Sequence, residues 1–198
     1  MGLELDYILG QTPLDEEEKN GLLIPSISTR KELDEFEQKN IEQAIQWLMS
    51  KRFKVDTILS EEFIKSLHKR MFGEVWAWAG EFRKSNKNLG IDRWMISTEL
   101  KNLLDDTLYW IENTTYTAEE IGIRFKHRLV SIHCFPNGNG RHSRLMADII
   151  IEKIFNKPPY SWGAERDDKD NENRKRYIDA VQAADKNDYS LLLTFARS

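Results

Sequence analysis

Cysteine, proline and glycine are scarce in this sequence, and there is no excess of positive charge. The single cysteine, Cys134, has no partner for an internal disulfide, and we predict that it is a buried packing residue. Lysine and arginine number 29 against 33 acidic residues, so the net charge is −4. Such a chain has no overall basic field for nucleic acid or an anionic membrane. We therefore expect neither as a partner.

Long hydrophobic runs are also absent. No apolar run approaches the ~18 residues of a spanning helix, and the acidic start lacks the basic and apolar segments of a signal peptide. We therefore expect a cytoplasmic protein. A length of 198 residues with 40% hydrophobic and 31% charged residues suits one globular domain. We predict an amino-terminal arm over residues 1–29 and a single domain over residues 30–198.

Apolar side chains recur at helical spacing through most of the chain. The segment Asn86–Ile96 has glycine, asparagine and β-forming residues, with room for a small β-hairpin at most. The predicted helices cover residues 29–49, 60–71, 97–111, 117–132, 141–155 and two stretches after Pro158. Four residues have the position and chemistry of a helix amino-terminal cap: Thr29, Ser60, Ser97 and Thr117.

The stretch Ser131–Arg144 concentrates groups that can bind phosphate. Gly138 and Gly140 flank Asn139, and only glycine lets a backbone take positive φ freely and bring its N–H groups onto an oxyanion. The apolar stripe of residues 141–155 places a helix directly after this loop. The loop therefore opens onto a helix amino terminus, which carries partial positive charge and N–H donors for an anion.

Three side chains complete this predicted phosphate site. Arg141 and Arg144 are three residues apart and so lie at neighbouring positions on a helix, where two planar guanidinium groups suit a polyphosphate. A helix dipole disfavours cations in the first turn, so this pair indicates binding rather than helix stabilisation. His133 lies where the preceding helix should end, and a reference pKa of about 6.5 suits it to act as a general base.

Other catalytic patterns fit the sequence poorly. Gly140 is followed by Arg-His rather than by Lys-Ser or Lys-Thr, so the loop is not a Walker A motif. His133 and His142 lack the spacing of a zinc site. Nothing in the sequence orients a histidine toward Ser131 or Ser143, so a hydrolase triad has little support.

The residues His133–Arg144 resemble the signature of the Fic (Fido) family, His-x-Phe-x-Asp/Glu-Gly-Asn-Gly-Arg-x-x-Arg. Seven of the eight fixed positions match, and the exception is Asn137, where the family usually has an acid. The likeness extends through Trp78–Arg83 and Asn88–Gly90 and covers most of the predicted domain. Gly10–Pro13 and the Pro-Asn-Gly-Asn-Gly form also resemble a subgroup called mobile mystery protein B.

This resemblance implies an all-α, Fic-type helical bundle with a small β-hairpin flap. It also implies a protein adenylyltransferase, which uses ATP and Mg²⁺ to transfer AMP to a serine, threonine or tyrosine hydroxyl of a target protein. His133 would take the proton of that hydroxyl. The residues implied for nucleotide binding are Phe135, which would anchor the loop by packing, Gly138, Asn139 and Gly140 at the α-phosphate, Arg141 at the β- and γ-phosphates, and Arg144 at the γ-phosphate.

Asn137 and Glu32 bear on metal binding and regulation. The family's acid would hold a Mg²⁺ ion, whereas Asn137 offers only a carbonyl dipole and is therefore a weak metal ligand. Fic proteins are often inhibited by a helix with Ser/Thr-x-x-x-Glu-Gly/Asn, whose glutamate pairs with the second arginine of the signature. Ser28 and Glu32 match this pattern in part, with Leu33 in place of Gly or Asn. Glu32 could instead serve the capping box that begins at Thr29.

The resemblance further implies that the segment Asn88–Ile96 holds the protein substrate, and it leaves an antitoxin-like partner and a homodimer open. Two other functions also stay open. One is a phosphotransferase that binds the nucleotide reversed and moves the γ-phosphate, and the other is a non-catalytic module that binds nucleotide or peptide. Asn137 motivates both, and His133 weighs against the second. The nucleotide could be ATP, UTP or GTP.

Overall fold

The computed structural model describes residues 13–163 and 170–198, and this part of the chain is all-α, as predicted. Within it no strand forms, and its β-type pairing is one antiparallel bridge between Leu22 and Trp76. Most of Gly10–Pro13, on which the subgroup likeness rests, lies outside the described residues. The helices are α1 (Glu16–Lys19), α2 (Arg30–Met49), α3 (Val55–Ile58), α4 (Glu61–Phe72), α5 (Ile96–Glu112), α6 (Ala118–Ile132), α7 (Asn139–Ile149), which continues as a π-helical turn (Ile150–Ile154), α8 (Asp170–Ala184) and α9 (Ser190–Ala196).

Local capping signals set the start of three long helices. Thr29 accepts a hydrogen bond from the backbone N–H of Glu32, and the Glu32 carboxylate accepts one from the backbone N–H of Thr29. Ser60 and Thr117 each accept a hydrogen bond from the backbone N–H three residues later. The predicted caps at these three positions are therefore confirmed. Each satisfies donors that the first turn of a helix leaves without an intrahelical partner.

The predicted cap at Ser97 is wrong. Helix α5 begins one residue earlier, at Ile96, because a 3₁₀ turn over Arg93–Met95 runs directly into it. Asp92 caps this turn by accepting a hydrogen bond from the N–H of Trp94. Short 3₁₀ turns are common at the ends of α-helices. The apolar stripe located this helix, but the chain is already helical before the stripe begins.

The segment Asn86–Ile96, which we call the flap, does not form the predicted β-hairpin. It consists of turns and bends that lead into the 3₁₀ turn. Its shape is held by Arg83, whose guanidinium donates to the carbonyls of Ser85 and Ile91. Gly90 takes a φ of 98°, which favours glycine. The carbonyls of Ser85 and Ile91 accept hydrogen bonds from Arg83 instead of from a paired strand, so the flap has no β-ladder.

The described part of the predicted arm packs on the domain. Helix α1 is a single turn with a capping box between Asp15 and Glu18. Leu14 and Ile27 are buried in the main core, and Trp78 donates its indole N–H to the carbonyl of Glu18 at 3.0 Å. From residue 13 onward the predicted arm is thus packed against the domain.

Two clusters of buried apolar residues hold the helices together. The larger one includes Phe72, Trp76 and Phe135, and the smaller one includes Tyr160 and Leu192. Helices α6 and α7 contribute side chains to both clusters. The loop that joins these two helices is therefore fixed at the place where the clusters meet. None of the helices in the described ranges combines the length and apolar composition needed to cross a bilayer.

Burial of the histidines makes stability depend on pH. Burial lowers the pKa of His68 and His127, lowers that of His133 to about 4 and lowers that of His142 to about 3. Below about pH 6.5 the unfolded chain therefore binds protons at these rings more readily than the folded chain does. Burial raises the pKa of Asp148 to about 6, so this one carboxyl group stabilises the folded state as the pH falls below 6. The net result is that acid favours unfolding.

We expect the free energy of unfolding to fall as the pH is lowered from 7 to 5, measured by urea denaturation at each pH. Below about pH 6 His142 should contribute nearly 1.4 kcal/mol per pH unit, because its ring is protonated in the unfolded chain and stays neutral in the folded state. The His142→Gln variant keeps a donor for the Ile64 carbonyl, which His142 Nε2 meets at 3.1 Å. Its pH dependence should be shallower by that amount. Equal slopes would contradict the assignment.

Candidate active site

The loop 133–138 joins the end of α6 to the start of α7. Helix α6 ends at Ile132, and His133 caps it with a left-handed φ of 57° and ψ of 60°, which stop the helix. Helix α7 begins at Asn139, after Gly138 with a left-handed φ of 77°. The structure confirms that His133 lies at the carboxyl end of one helix and that the glycine-rich loop opens the next.

The two glycines of the loop differ in their surroundings. A Cβ on Gly138 would lie 2.6 Å from two ring carbons of Phe72, so the loop is pressed onto α4 and excludes any side chain there. A Cβ on Gly140 would meet nothing within 4 Å, so the first turn of α7 faces open space. Gly138 supplies no side-chain cap, and the first N–H groups of a helix have no intrahelical partner. This end of α7 can therefore receive an anion.

Asn139 braces the loop from within. Its Oδ1 accepts a hydrogen bond from the N–H of Phe135 at 3.0 Å, and its Nδ2 donates to the carbonyl of Phe135 at 2.8 Å. Asn139 is buried, as is Phe135. The amide is thus committed to the loop backbone rather than to an α-phosphate, which is the role the resemblance implied. The side chain of Asn139 therefore acts on a ligand through the shape of the loop.

His133 has the chemistry of a general base. Its side chain is buried and hydrogen-bonds to the backbone of Val130. Burial lowers its pKa to about 4, and the neighbouring Arg83 guanidinium acts in the same direction. The ring is therefore neutral at pH 7. When one ring nitrogen donates its proton to a carbonyl, the other carries a lone pair that can accept a proton.

Arg83 is a site residue that the sequence analysis did not single out. Its Nε donates to the His133 carbonyl at 2.6 Å, and its backbone N–H donates to the Cys134 carbonyl at 2.9 Å. The same guanidinium holds the flap through Ser85 and Ile91. Arg83 is buried, and one side chain thereby fixes the flap beside the base. Arg83 lies in the stretch Trp78–Arg83, which resembles the family, and this could have marked it as a site residue. The neighbouring sequence does not indicate that it binds the His133 carbonyl and the flap.

Arg141 lies against a buried acid from α2. Its Nη1 is 2.6 Å from Oε2 of Glu37, and its guanidinium carbon lies 4.9 Å from the centre of the Phe72 ring. Glu37 also accepts a hydrogen bond at Oε1 from the indole N–H of Trp76, at 2.6 Å. Glu37 was not among the residues predicted from the sequence. The available signal was its position four residues after Leu33, which puts a charged residue on the apolar stripe of α2.

Arg144 has a different environment. Its guanidinium carbon lies 5.4 Å from the centre of the Tyr177 ring, and the Lys126 ammonium lies 4.4 Å from the same centre. The pKa of Tyr177 is lowered because Lys126 and Arg144 outweigh the effect of burial, which would raise it. Arg144 therefore interacts with Tyr177 beside Lys126 and with the charge of Asp148, whereas Arg141 is paired directly with a buried carboxylate. Lys126 and Tyr177 fall in helices that were predicted from the sequence, but neither was predicted to be a site residue.

His68 supports the loop from below. Its ring stacks on Phe135 with 3.7 Å between centroids, and its Nδ1 accepts a hydrogen bond from the N–H of Gly80 at 3.1 Å. Nε2 must then carry the proton, and it donates to the carbonyl of Asn137 at 3.0 Å. The side-chain oxygen of Asn137 accepts from the N–H of Gly138 at 2.6 Å. The backbone and side-chain oxygens of Asn137 thus both accept hydrogen bonds from the protein, from His68 and Gly138 respectively.

The donor set of this loop does not fit a Mg²⁺ ion held by the protein. Asn137 brings an amide oxygen that already accepts a backbone hydrogen bond. In the part of the chain that the structure describes, no three His, Cys, Asp or Glu side chains converge as metal ligands. Mg²⁺ is usually held through one or two carboxylates in addition to phosphates. A Mg²⁺ ion at this site would therefore be held mainly by the phosphates of a nucleotide substrate.

Glu32 occupies the start of α2. Its Oε2 accepts hydrogen bonds from the N–H groups of Ser28 and Thr29 at 2.9 and 3.0 Å and from the Ser28 hydroxyl at 3.3 Å. These bonds lower the pKa of Glu32 and keep it ionised. The structure therefore supports the capping role of Ser28 and Glu32 and gives no support to the inhibitory role that the partial motif implied.

We expect Glu32→Gly to leave the rate of group transfer within about twofold of wild type and to lower the urea midpoint through the lost capping box. The initial rate and the urea midpoint measure the two effects. Glu32→Gln is the matched control, because glutamine can also serve in a capping box. A large increase in rate for Glu32→Gly alone would show that this residue restrains activity.

Comparisons with known proteins agree with this geometry. The model of the Fic/DOC family matches residues 58–151, which include the loop 133–138 and the two arginines that follow it, Arg141 and Arg144. The fold is similar to that of a Fic-1 fragment (aa134–508) from C. elegans, with a TM-score of 0.68 and 21% identity over 90% of this chain and 51% of that chain. This chain thus spans about half the length of that fragment.

Two bacterial structures are similar over nearly their whole length. BepC from Bartonella tribocorum, with bound AMPPNP, has a TM-score of 0.67 and 14% identity over 92% of this chain and 97% of that chain. A VirB-translocated Bep effector protein from Bartonella quintana, with bound ADP, has a TM-score of 0.64 and 14% identity over 91% and 94% of the two chains. At these identities the likeness establishes the fold.

Proposed function

We propose that this chain, whose residues 58–151 match the model of the Fic/DOC family, is a protein adenylyltransferase. It would transfer AMP from ATP to a serine, threonine or tyrosine hydroxyl of a target protein. One observation carries the proposal. A neutral, buried histidine at the end of α6 and an uncapped helix amino terminus at the start of α7 lie at the two ends of the loop 133–138. A base and an anion site are what attack on a phosphate requires.

In the proposed reaction the target hydroxyl oxygen attacks the α-phosphorus, and its proton passes to the lone pair of His133. The bond between the α-phosphorus and the oxygen that bridges to the β-phosphate breaks, and pyrophosphate leaves. Backbone N–H groups at the start of α7 stabilise the charge on the α-phosphate. Arg141 and Arg144 bind the β- and γ-phosphates. Phe135, a buried residue of the loop that stacks on His68, anchors the loop and so fixes the positions of these groups.

The flap is the proposed docking surface for the target protein. Leu89, Trp94 and Met95 expose apolar surface there, with 75% of Trp94 accessible. The backbone of Gly90 comes so close to the base that a Cβ on it would lie 2.5 Å from the Cβ of His133. A target segment laid along the flap would therefore bring its hydroxyl to the base. The antitoxin-like partner and the homodimer stay predictions.

Parallel labelling with ATP carrying the label at the α- or the γ-phosphate tests the proposal. The protein is incubated with each nucleotide, alone and with cell lysate, and labelled proteins are separated on a gel. Adenylyl transfer predicts that only the α-label enters protein. Transfer of the γ-label alone would indicate the phosphotransferase, and transfer of neither would indicate a binding module. Competition by unlabelled UTP and GTP identifies the preferred nucleotide.

The altered acid position leads to a prediction about Mg²⁺. Because Asn137 adds no charge, the nucleotide phosphates must supply most of the Mg²⁺ affinity. Asn137→Asp should accept the same hydrogen bond from Gly138 and add a full negative charge. We expect it to lower the half-saturating Mg²⁺ concentration by roughly 10-fold, measured as initial rate against Mg²⁺ at fixed ATP. Superimposable titrations of the two proteins would rule out any contact between residue 137 and nucleotide-bound Mg²⁺.

A further inference from the structure

Glu37 is a buried carboxylate placed between two partners of different chemistry. It is 3% exposed, on the face of α2 that packs on the core. One oxygen accepts from the indole N–H of Trp76, which is itself buried, and the other faces Arg141 Nη1, each at 2.6 Å. A buried carboxylate is costly unless it is paired, so this arrangement holds all three side chains in one geometry.

Arg141 is held on two sides by these contacts. Glu37 fixes one terminal nitrogen, and the Phe72 ring lies under the guanidinium at 4.9 Å. Phe72 is also the ring that presses on Gly138 and sets the loop. The guanidinium is thereby fixed relative to the amino terminus of α7. Rotational freedom that would otherwise be lost when a ligand binds has already been removed by folding.

We propose that Glu37 is a positioning residue for nucleotide binding, which orients Arg141 so that the rest of its fork meets the β- and γ-phosphates. This inference rests on the proposed function. A guanidinium has five N–H donors in a rigid plane, and a carboxylate at Nη1 leaves the other donors for phosphate oxygens. Arg144 has Tyr177 and Lys126 as neighbours instead. In this proposal Arg144 contributes positive charge to phosphate binding, whereas Arg141 contributes N–H donors in a fixed orientation.

Glu37→Gln tests the inference with little change in shape. The glutamine carbonyl can still accept from Trp76, but the charge that orients Arg141 is lost. We expect the Kd for ATP, measured by calorimetry, to rise roughly 10-fold through lost preorganisation, while the Kd for AMP, which lacks the β- and γ-phosphates, stays within about twofold. Glu35→Gln is the matched control, since Glu35 is exposed on the same helix and lies 3.9 Å from Lys31; it should change neither constant.

A measurement on the wild-type protein covers the case in which Glu37→Gln does not fold. The guanidinium ¹⁵N signals of Arg141, assigned by their loss in Arg141→Lys, report rotation of the group. Positioning predicts hindered rotation both without nucleotide and with ATP. Rapid rotation in the nucleotide-free protein would overturn the inference.

The binding experiment separates failure of the inference from failure of the proposed function. Wild type that binds neither ATP nor another nucleoside triphosphate refutes the proposed function and the inference with it. Wild type that binds ATP while Glu37→Gln binds it equally well refutes the inference alone. Tighter ATP binding by the variant would mean that Glu37 masks Arg141, and an equal loss for ATP and AMP would mean a general structural effect; either result overturns positioning.

Discussion

Replacing His133 with alanine is expected to reduce transfer of the α-label by about 10²–10⁴-fold, the usual contribution of a general base. The protein should remain folded, because the backbone N–H of His133, which donates to the Leu129 carbonyl at the end of α6, is kept by the substitution. No other histidine can take over the role. His68 and His142 donate to backbone carbonyls, and His127 pairs with Asp185 at 2.8 Å. Initial rates and urea denaturation measure the two effects separately.

The backbone of His133 requires a second variant as a control. Its left-handed conformation suits asparagine better than alanine, so His133→Asn removes the base with less strain. Both variants should lose the same activity, while alanine should lose more stability. In wild type, a free-enzyme pKa of about 4 predicts that kcat/KM shows no inflection near pH 6.5 and falls only as the pH approaches 4. Activity that survives in both variants would remove His133 from the mechanism.

Replacing Asn139 with aspartate is expected to have the second-largest effect. Aspartate is nearly isosteric and can still accept from the N–H of Phe135, but it cannot donate to the Phe135 carbonyl, which the Nδ2 of Asn139 meets at 2.8 Å. Two acceptors would then face each other in a buried site. The loss should be about 1–3 kcal/mol of stability. The rate should fall roughly 100-fold, because the loop that carries the catalytic groups is misplaced.

Asn113→Asp is the matched control for this substitution. Asn113 donates through Nδ2 to the carbonyl of Tyr109 at 2.9 Å, so the same donor is lost, but at an exposed helix end. Water can replace the bond there, and we expect little change in either the rate or the free energy of unfolding. If Asn139→Asp behaves like Asn113→Asp, the brace across the loop does not matter for activity.

Short-range features were predictable from sequence because they depend on neighbouring residues. A capping box satisfies N–H groups within one turn, so Thr29 and Ser60 marked helix starts correctly. The positions of His133 and Gly138 followed from the ends of two apolar stripes. The family likeness added the chemistry of the loop. Ser97 failed as a cap because a 3₁₀ turn, which leaves no apolar stripe, began the helix earlier.

The amino-acid sequence thus determined the helices, the loop 133–138 and the types of group on it. Only the tertiary structure decided how those groups are held. The partner of Arg141 is Glu37 on a helix distant in sequence, and the flap is built around the buried Arg83 rather than around strand pairing. The reason is physical: a helix start depends on residues a few positions apart, whereas the partner of a buried charge is chosen by packing, which the local sequence does not encode.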